Sequence, residues 1–153
     1  ATVEMIDEQI VVATILRAGL PYHQGFLNYF DDAQNAFVSA YRKSTKDGKF
    51  TVKVEYISCG SLEGKTMLLV DPMLATGGTL VAATHYLAER GAKDVTAINI
   101  IAAPEGIKYV EEHIDPSIDF KVVVCAVDER LNDKCYIVPG LGDAGDRLYG
   151  VID

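Results

Sequence analysis

The stretch MLLVDPMLATGGT, Met67 to Thr79, runs from an apolar segment through one acid into a small-residue loop with paired glycines, and a helix-like pattern follows it. Met67 to Val70 suit a buried strand, Gly77 and Gly78 let the backbone approach a ligand closely, and Leu80 to Arg90 can form a helix whose free N–H groups face outward. Strand, small-residue loop and helix, in that order, build a phosphate cradle, so the expected ligand is anionic. Asp71 at the strand end is placed to bond vicinal hydroxyls of a ribose. The amides from Ala75 to Thr79 and the hydroxyls of Thr76 and Thr79 would then surround a terminal phosphate, helped by the positive end of the helix dipole. No nucleoside-triphosphate loop is expected, because Gly78 is followed by Thr79 rather than by the lysine such loops use.

Outward from this segment, strands and helices alternate. Ile10 to Leu16 is apolar and rich in β-branched residues, and Pro21 to Phe30 places Phe26, Leu27, Tyr29 and Phe30 on a short helical face. Ala36 to Tyr41 and Phe50 to Ile57 read as two strands joined by KSTKDGK, where Asp47 and Gly48 favour a hairpin turn. The helix from Leu80 should end at Gly91, Val95 to Ala103 should form a strand, Pro104 should open a helix through about His113, and Phe120 to Val127 should form a last strand. This pattern predicts an α/β fold, a mostly parallel twisted sheet flanked by helices and carrying a β-hairpin arm, with ligands beyond the carboxyl ends of its strands.

Composition narrows the class of ligand. With 153 residues, 49% of them hydrophobic, the chain can bury a sizeable core as one domain. Its formal charge of −8, from 14 basic and 22 acidic residues, argues against a broad nucleic-acid surface, so an anion site must be local. No apolar stretch reaches the length of a membrane span and no leader pattern is evident, so a soluble cytoplasmic chain with no membrane partner is expected. Cys59, Cys125 and Cys135 are odd in number and widely spaced, as reduced thiols would be, and His23, His85 and His113 show no metal-ligand spacing.

Two arginines and a glycine-rich tail complete the candidate site. Arg17 in ILRAGL and Arg42 in AYRK each end an apolar strand, where a guanidinium can fork onto phosphate oxygens. The tail YIVPGLGDAGDR, with Gly140, Gly142 and Gly145 around Pro139, reads as too glycine-rich for a regular element, which leaves its backbone free to bond a flat heterocycle edge.

Together, ILRAGL, YRK, VDPMLATGGT and YIVPGLGDAGDR resemble the type I phosphoribosyltransferase family and most closely its uracil branch. The likeness extends over nearly the whole chain and includes AAPEGI from Ala102 to Ile107 and the DE-LN-K pattern from Asp128 to Lys134. A single acid, Asp71 before Pro72, marks the uracil branch. The resemblance implies transfer of a phosphoribosyl group from 5-phosphoribosyl 1-pyrophosphate (PRPP) to uracil, giving UMP and pyrophosphate with Mg2+ as cofactor and no direct protein ligand assigned to the metal. It implies that Asp71, Pro72, Met73, Leu74, Ala75, Thr76, Gly77, Gly78 and Thr79 hold PRPP, with Arg17 and Arg42 on its pyrophosphate. Ile137, Gly142, Asp143 and Ala144 would form the C-terminal base-binding loop, with Asp143 also near PRPP and, with Arg17, in a catalytic role. It implies further a cis peptide beside Arg17, at least a homodimer, and regulation by a nucleotide such as GTP.

Three departures accompany the likeness. Relatives carry a glycine and an acid at the positions of Pro21 and Gln24, a glycine at the position of Cys135, and an additional N-terminal segment, so 1–153 is read as a single phosphoribosyltransferase domain lacking part of that segment. The rival expectation is a catalytically weak phosphoribosyltransferase-like regulator that binds a nucleotide or RNA. Acidic overall charge and an intact base loop favour the enzyme.

Overall fold

The computed structural model describes residues 2–3, 7–44 and 50–151, with the backbone alone for 41–44, 50 and 51. The β-branched run IVVATIL forms β1 (Ile10–Leu16), and its burial follows from a central position between β2 (Gln34–Ser44) and β4 (Thr66–Val70), both parallel to it. β3 (Phe50–Ser58) runs antiparallel to β2 as the expected hairpin arm, while the predicted turn at Asp47 and Gly48 lies outside the described residues. β6 (Asp94–Ala102) pairs in parallel with β4 on one side and with β7 (Asp119–Val127) on the other. The two-residue β5 (Met73–Leu74) also pairs with β6, so β4 and β5 share one lane that Asp71 and Pro72 interrupt. The seven-stranded sheet is therefore parallel except for β3.

Strand order dictates where the helices go. From β1 the chain crosses by α1 (Leu20–Leu27) to β2 on one side; from β4 it crosses by α2 (Gly78–Ala88) to β6 and by α3 (Pro104–His113) to β7 on the other. Right-handed crossovers in opposite directions put α1 on one face and α2 with α3 on the other. The main core forms between the sheet and α2 with α3, where Val11, Ala13, Leu69, Val95 and Ala97 meet Leu80, Ala83, Leu87 and Val110, all nearly or fully buried.

Helix boundaries differ slightly from expectation. α2 begins at Gly78 rather than Leu80, because Gly77, at φ +80°, completes the turn without the strain a Cβ would bring there. It ends at Ala88, where Gly91, at φ +103°, closes the last turn with Ala92 N–H donating to the Leu87 carbonyl. The tail corrects the sequence reading more substantially. Its glycines do not exclude regular structure: β8 (Arg130–Leu131) and β9 (Ile137–Val138) form a small antiparallel pair, and Ala144–Tyr149 forms α4. Asp143 makes this helix possible by accepting a hydrogen bond from Asp146 N–H, a side-chain cap, and Gly150, at φ +85°, ends it.

Candidate active site

The order of strand connection reverses between the parallel neighbours β1 and β4, and loops at such a switch point face a common crevice. Thr14 pairs with Val70 across these strands and donates its hydroxyl proton to the Val70 carbonyl at 3.2 Å. The RAGL turn and the DPMLATGGT loop thus leave the sheet side by side. The Leu16–Arg17 peptide is cis, as the resemblance implied. Gly19 is required by packing, since a Cβ there would lie 2.0 Å from Thr14 Oγ1 and 2.6 Å from the Ile15 carbonyl oxygen.

Asp71 is held by its backbone and side chain together. Its N–H donates to the Ile98 carbonyl, its carbonyl accepts from Asn99 Nδ2 at 2.7 Å, and its Oδ1 accepts from Met73 N–H at 3.4 Å. Pro72 and Leu74 are anchored along β6 through their carbonyls, which accept from Ile100, Ile101 and Ala103. The loop then rises to Gly77 and enters α2, whose N-terminus has no side-chain cap. Uncapped N–H groups at a helix start form a ready anion site, and Thr76, Gly78 and Thr79 sit half-buried around it. Val52 of β3 lies 3.4 Å from where a Gly78 Cβ would be, so the hairpin arm borders the same cradle.

The second wall is the tail. Asp128, just past β7, donates its N–H to the Ala102 carbonyl and accepts from Gly140 N–H on Oδ2 at 2.9 Å. Val138–Pro139 is cis, and Gly140, at φ +49°, packs so closely that a Cβ would meet the Ile137 carbonyl oxygen at 2.1 Å. Ile137 is buried, whereas Gly142 and Asp143 are exposed and Ala144 is half-buried. Glu105, in the first turn of α3, accepts the Leu131 N–H at 3.0 Å and so fastens the β8–β9 pair to the AAPEG turn. That hydrogen bond lowers the Glu105 carboxyl below its usual range.

The structure thus places switch-point loops, an uncapped helix start and a glycine-rich tail beyond the carboxyl ends of the parallel strands. A family model described as uracil phosphoribosyltransferase matches residues 1–151. This chain belongs to the uracil phosphoribosyltransferase family. It is 68% identical over 145 residues to the uracil phosphoribosyltransferase of Bifidobacterium longum, a match covering 94% of this chain and 67% of that relative. The structure superimposes on that of the AQ2163 protein from Aquifex aeolicus with a TM-score of 0.86 at 41% identity, covering 97% of this chain and 68% of the other. A purine phosphoribosyltransferase from Pyrococcus horikoshii shares the fold, at TM-score 0.57 and 19% identity over 78% of this chain and 71% of its own. The chain thus spans about two thirds of the length of the curated relatives it matches.

Within this family fold, Asp71 to Thr79 form one continuous segment that runs through β5 into the start of α2, Ile137 to Ala144 form another that runs from β9 into α4, and Arg17 reaches α4 just beyond the second. Its Nη2 donates to Asp146 Oδ1 at 2.9 Å and its Nη1 to the Gly150 carbonyl at 3.1 Å. Arg42 lies within β2, its backbone paired with Val52, rather than at the strand end expected from the sequence, because pairing with β3 carries β2 on to Ser44; its side chain lies outside what is described. Cys135, in the β8–β9 turn, has φ +61°, the left-handed region that explains why a glycine suits this position. Sequence reasoning missed Asp128, Glu105, Gly106, Asn99 and Asp146. The first three lie in the AAPEGI and DE-LN-K patterns, but the contacts that give them their roles join residues distant in the chain. Among the described residues, no three carboxylate, histidine or cysteine groups gather as a metal cage, and no helix is long and apolar enough to cross a membrane.

Proposed function

We propose that this chain transfers the phosphoribosyl group of PRPP to uracil, giving UMP and pyrophosphate in pyrimidine salvage. The single observation that carries this reading is that the uncapped start of α2, reached from β4 through Asp71, and the Ile137 to Ala144 segment, held by Asp128 just past β7, both lie beyond the carboxyl ends of the parallel strands. In the reaction uracil N1 forms a bond to the anomeric carbon, the bond from that carbon to the pyrophosphate oxygen breaks with its electron pair leaving on pyrophosphate, and the N1 proton is lost. The α2 N-terminus with Thr76 to Thr79 holds the 5-phosphate, Asp71 takes the ribose hydroxyls, and Arg17 and Arg42 hold the pyrophosphate. Contacts that tighten as charge moves onto the leaving pyrophosphate lower the barrier.

Uracil presents a donor at N3 and an acceptor at O4, which cytosine reverses. A rigid backbone loop at Ile137, Gly142, Asp143 and Ala144 rejects cytosine because its own polar groups would be left unpaired, a discrimination of about 10⁴-fold. The carboxylates present fit Mg2+, a hard cation that keeps water and binds mainly through substrate phosphates; Asp71 or Asp143 would supply at most an oxygen donor or hold a bound water, with no direct protein ligand assigned. When bound, the ion neutralises charge on the departing pyrophosphate.

One continuous sheet supports reading 1–153 as a single phosphoribosyltransferase domain. The family likeness supports a cytoplasmic homodimer or higher homo-oligomer open to control by a nucleotide such as GTP. The acidic charge and the retained base loop speak against a nucleic-acid-binding regulator. The deciding measurement is nucleotide formation from PRPP, Mg2+ and each of uracil, cytosine, hypoxanthine and orotate. UMP from uracil alone is expected; absence of UMP, with the protein folded, overturns the reading.

A further inference from the structure

Arg17 leaves the end of β1, yet one edge of its guanidinium is committed to α4, an element more than a hundred residues later in the chain. The ion pair to Asp146 is 2.9 Å long, and the side chains are 34% and 35% exposed, so solvent screens it only in part. Beside it, a Cβ at the buried Gly145 would lie 3.5 Å from Arg17 Nη2, which places the guanidinium against the first turn of α4. The Asp146 backbone N–H donates to Asp143 Oδ1 at 2.8 Å. Asp146 is therefore gripped by the base loop through its amide while it grips Arg17 through its carboxylate.

A guanidinium carries a planar fork of N–H donors. The bonds to Asp146 and to the Gly150 carbonyl use one side of that fork and leave further donors for phosphate oxygens. An arginine without such an anchor would lose side-chain entropy each time it closed on its ligand; here that loss is taken on folding instead. We propose that Asp146 is a positioning residue for the transfer reaction, orienting Arg17 toward the donor's pyrophosphate and tying it, through the start of α4, to the loop that holds the base. This rests on the reading of Arg17 as a pyrophosphate ligand.

The test separates positioning from general support of the tail. Asp146→Asn keeps the volume and an acceptor but removes the charge, and Asp146→Ala removes both. Binding of PRPP with Mg2+ and of UMP is measured by calorimetry for each, because UMP fills the phosphate and base loops without engaging Arg17 through a pyrophosphate. Loss of a charge-assisted hydrogen bond predicts about tenfold weaker PRPP binding in Asp146→Ala, a smaller loss in Asp146→Asn, and UMP binding within about twofold of the parent. In an Arg17→Gln background, Asp146→Ala should change PRPP binding by less than about twofold, since residues acting through one another are non-additive.

Equal losses for PRPP and UMP, or full additivity with Arg17→Gln, would mean that Asp146 only supports the loop and would overturn the inference. Unchanged PRPP binding in both Asp146 variants, with Arg17→Gln impaired, overturns it while leaving the proposed function intact. A parent chain that binds no PRPP overturns the proposed function itself.

Discussion

Gly106 shows how a residue distant in sequence from the turn before α2 can set that turn's shape. A Cβ at Gly106 would lie 2.2 Å from the Ala75 carbonyl oxygen, and one at Gly77 would lie 2.7 Å from the Gly106 carbonyl oxygen, so α3 and the turn before α2 are in backbone contact. Gly106 is helical, and its need for a bare Cα comes from this close approach rather than from its own dihedrals. Gly106→Ala is therefore expected to cost about 1–3 kcal/mol of stability through overpacking and to raise the KM for PRPP. Thermal unfolding and steady-state kinetics check both, and parent-like values would show that α3 can retreat without disturbing the loop. The glycine pair at Gly77 and Gly78 was legible from the sequence because its neighbours announce a turn before a helix. Gly106 was not, because its reason is a carbonyl thirty-one residues away. Arg17 stands out in the sequence by type and place, but its partner Asp146 belongs to another element.

The β8–β9 pair and α4 illustrate the same division among elements. Alternating apolar runs made β1, β4, β6 and β7 readable, and Pro104 marked the start of α3 correctly. The tail was read as irregular because its glycines outweigh its propensity; a side-chain cap from Asp143 and fastening by Asp128 and Glu105 reverse that balance. Glu105 also predicts an acid response. Its carboxyl is lowered first by the Leu131 N–H and next by its own backbone, with burial opposing and Arg130 assisting. A group whose folded value is depressed stabilises the fold above its ordinary, unfolded value, and that contribution fades as pH falls from there through the folded value. The β8–β9 pair should accordingly loosen below the usual glutamate range near pH 4.5. In Glu105→Gln that pH dependence should disappear, with faster amide exchange at Leu131 near neutral pH as the readout. An unchanged acid profile in Glu105→Gln would assign the response to another group.

The sheet as a whole is unevenly covered. On one face, α2 and α3 seal a core in which Leu69 is fully buried, while Ile100 and Val123 remain 42% and 50% exposed at the β6–β7 end of the sheet. Leu69→Ala should therefore cost about 2–5 kcal/mol, whereas Val123→Ala should stay within about 0.5 kcal/mol. Chemical denaturation distinguishes them, and a large loss from Val123→Ala would show that this part of the sheet is covered in the folded protein. Local periodicity, turn chemistry and the placement of glycines were enough to give a mostly parallel α/β sheet and the strand–loop–helix order from β4 into α2, since each of these depends on residues close together in the chain. The reversal of strand order that sets RAGL beside DPMLATGGT, the docking of α3 on the turn before α2, and the Arg17–Asp146 pair came from the folded arrangement alone. These are contacts between residues tens to more than a hundred positions apart, and only closure of the sheet and packing of its helices bring them within bonding distance.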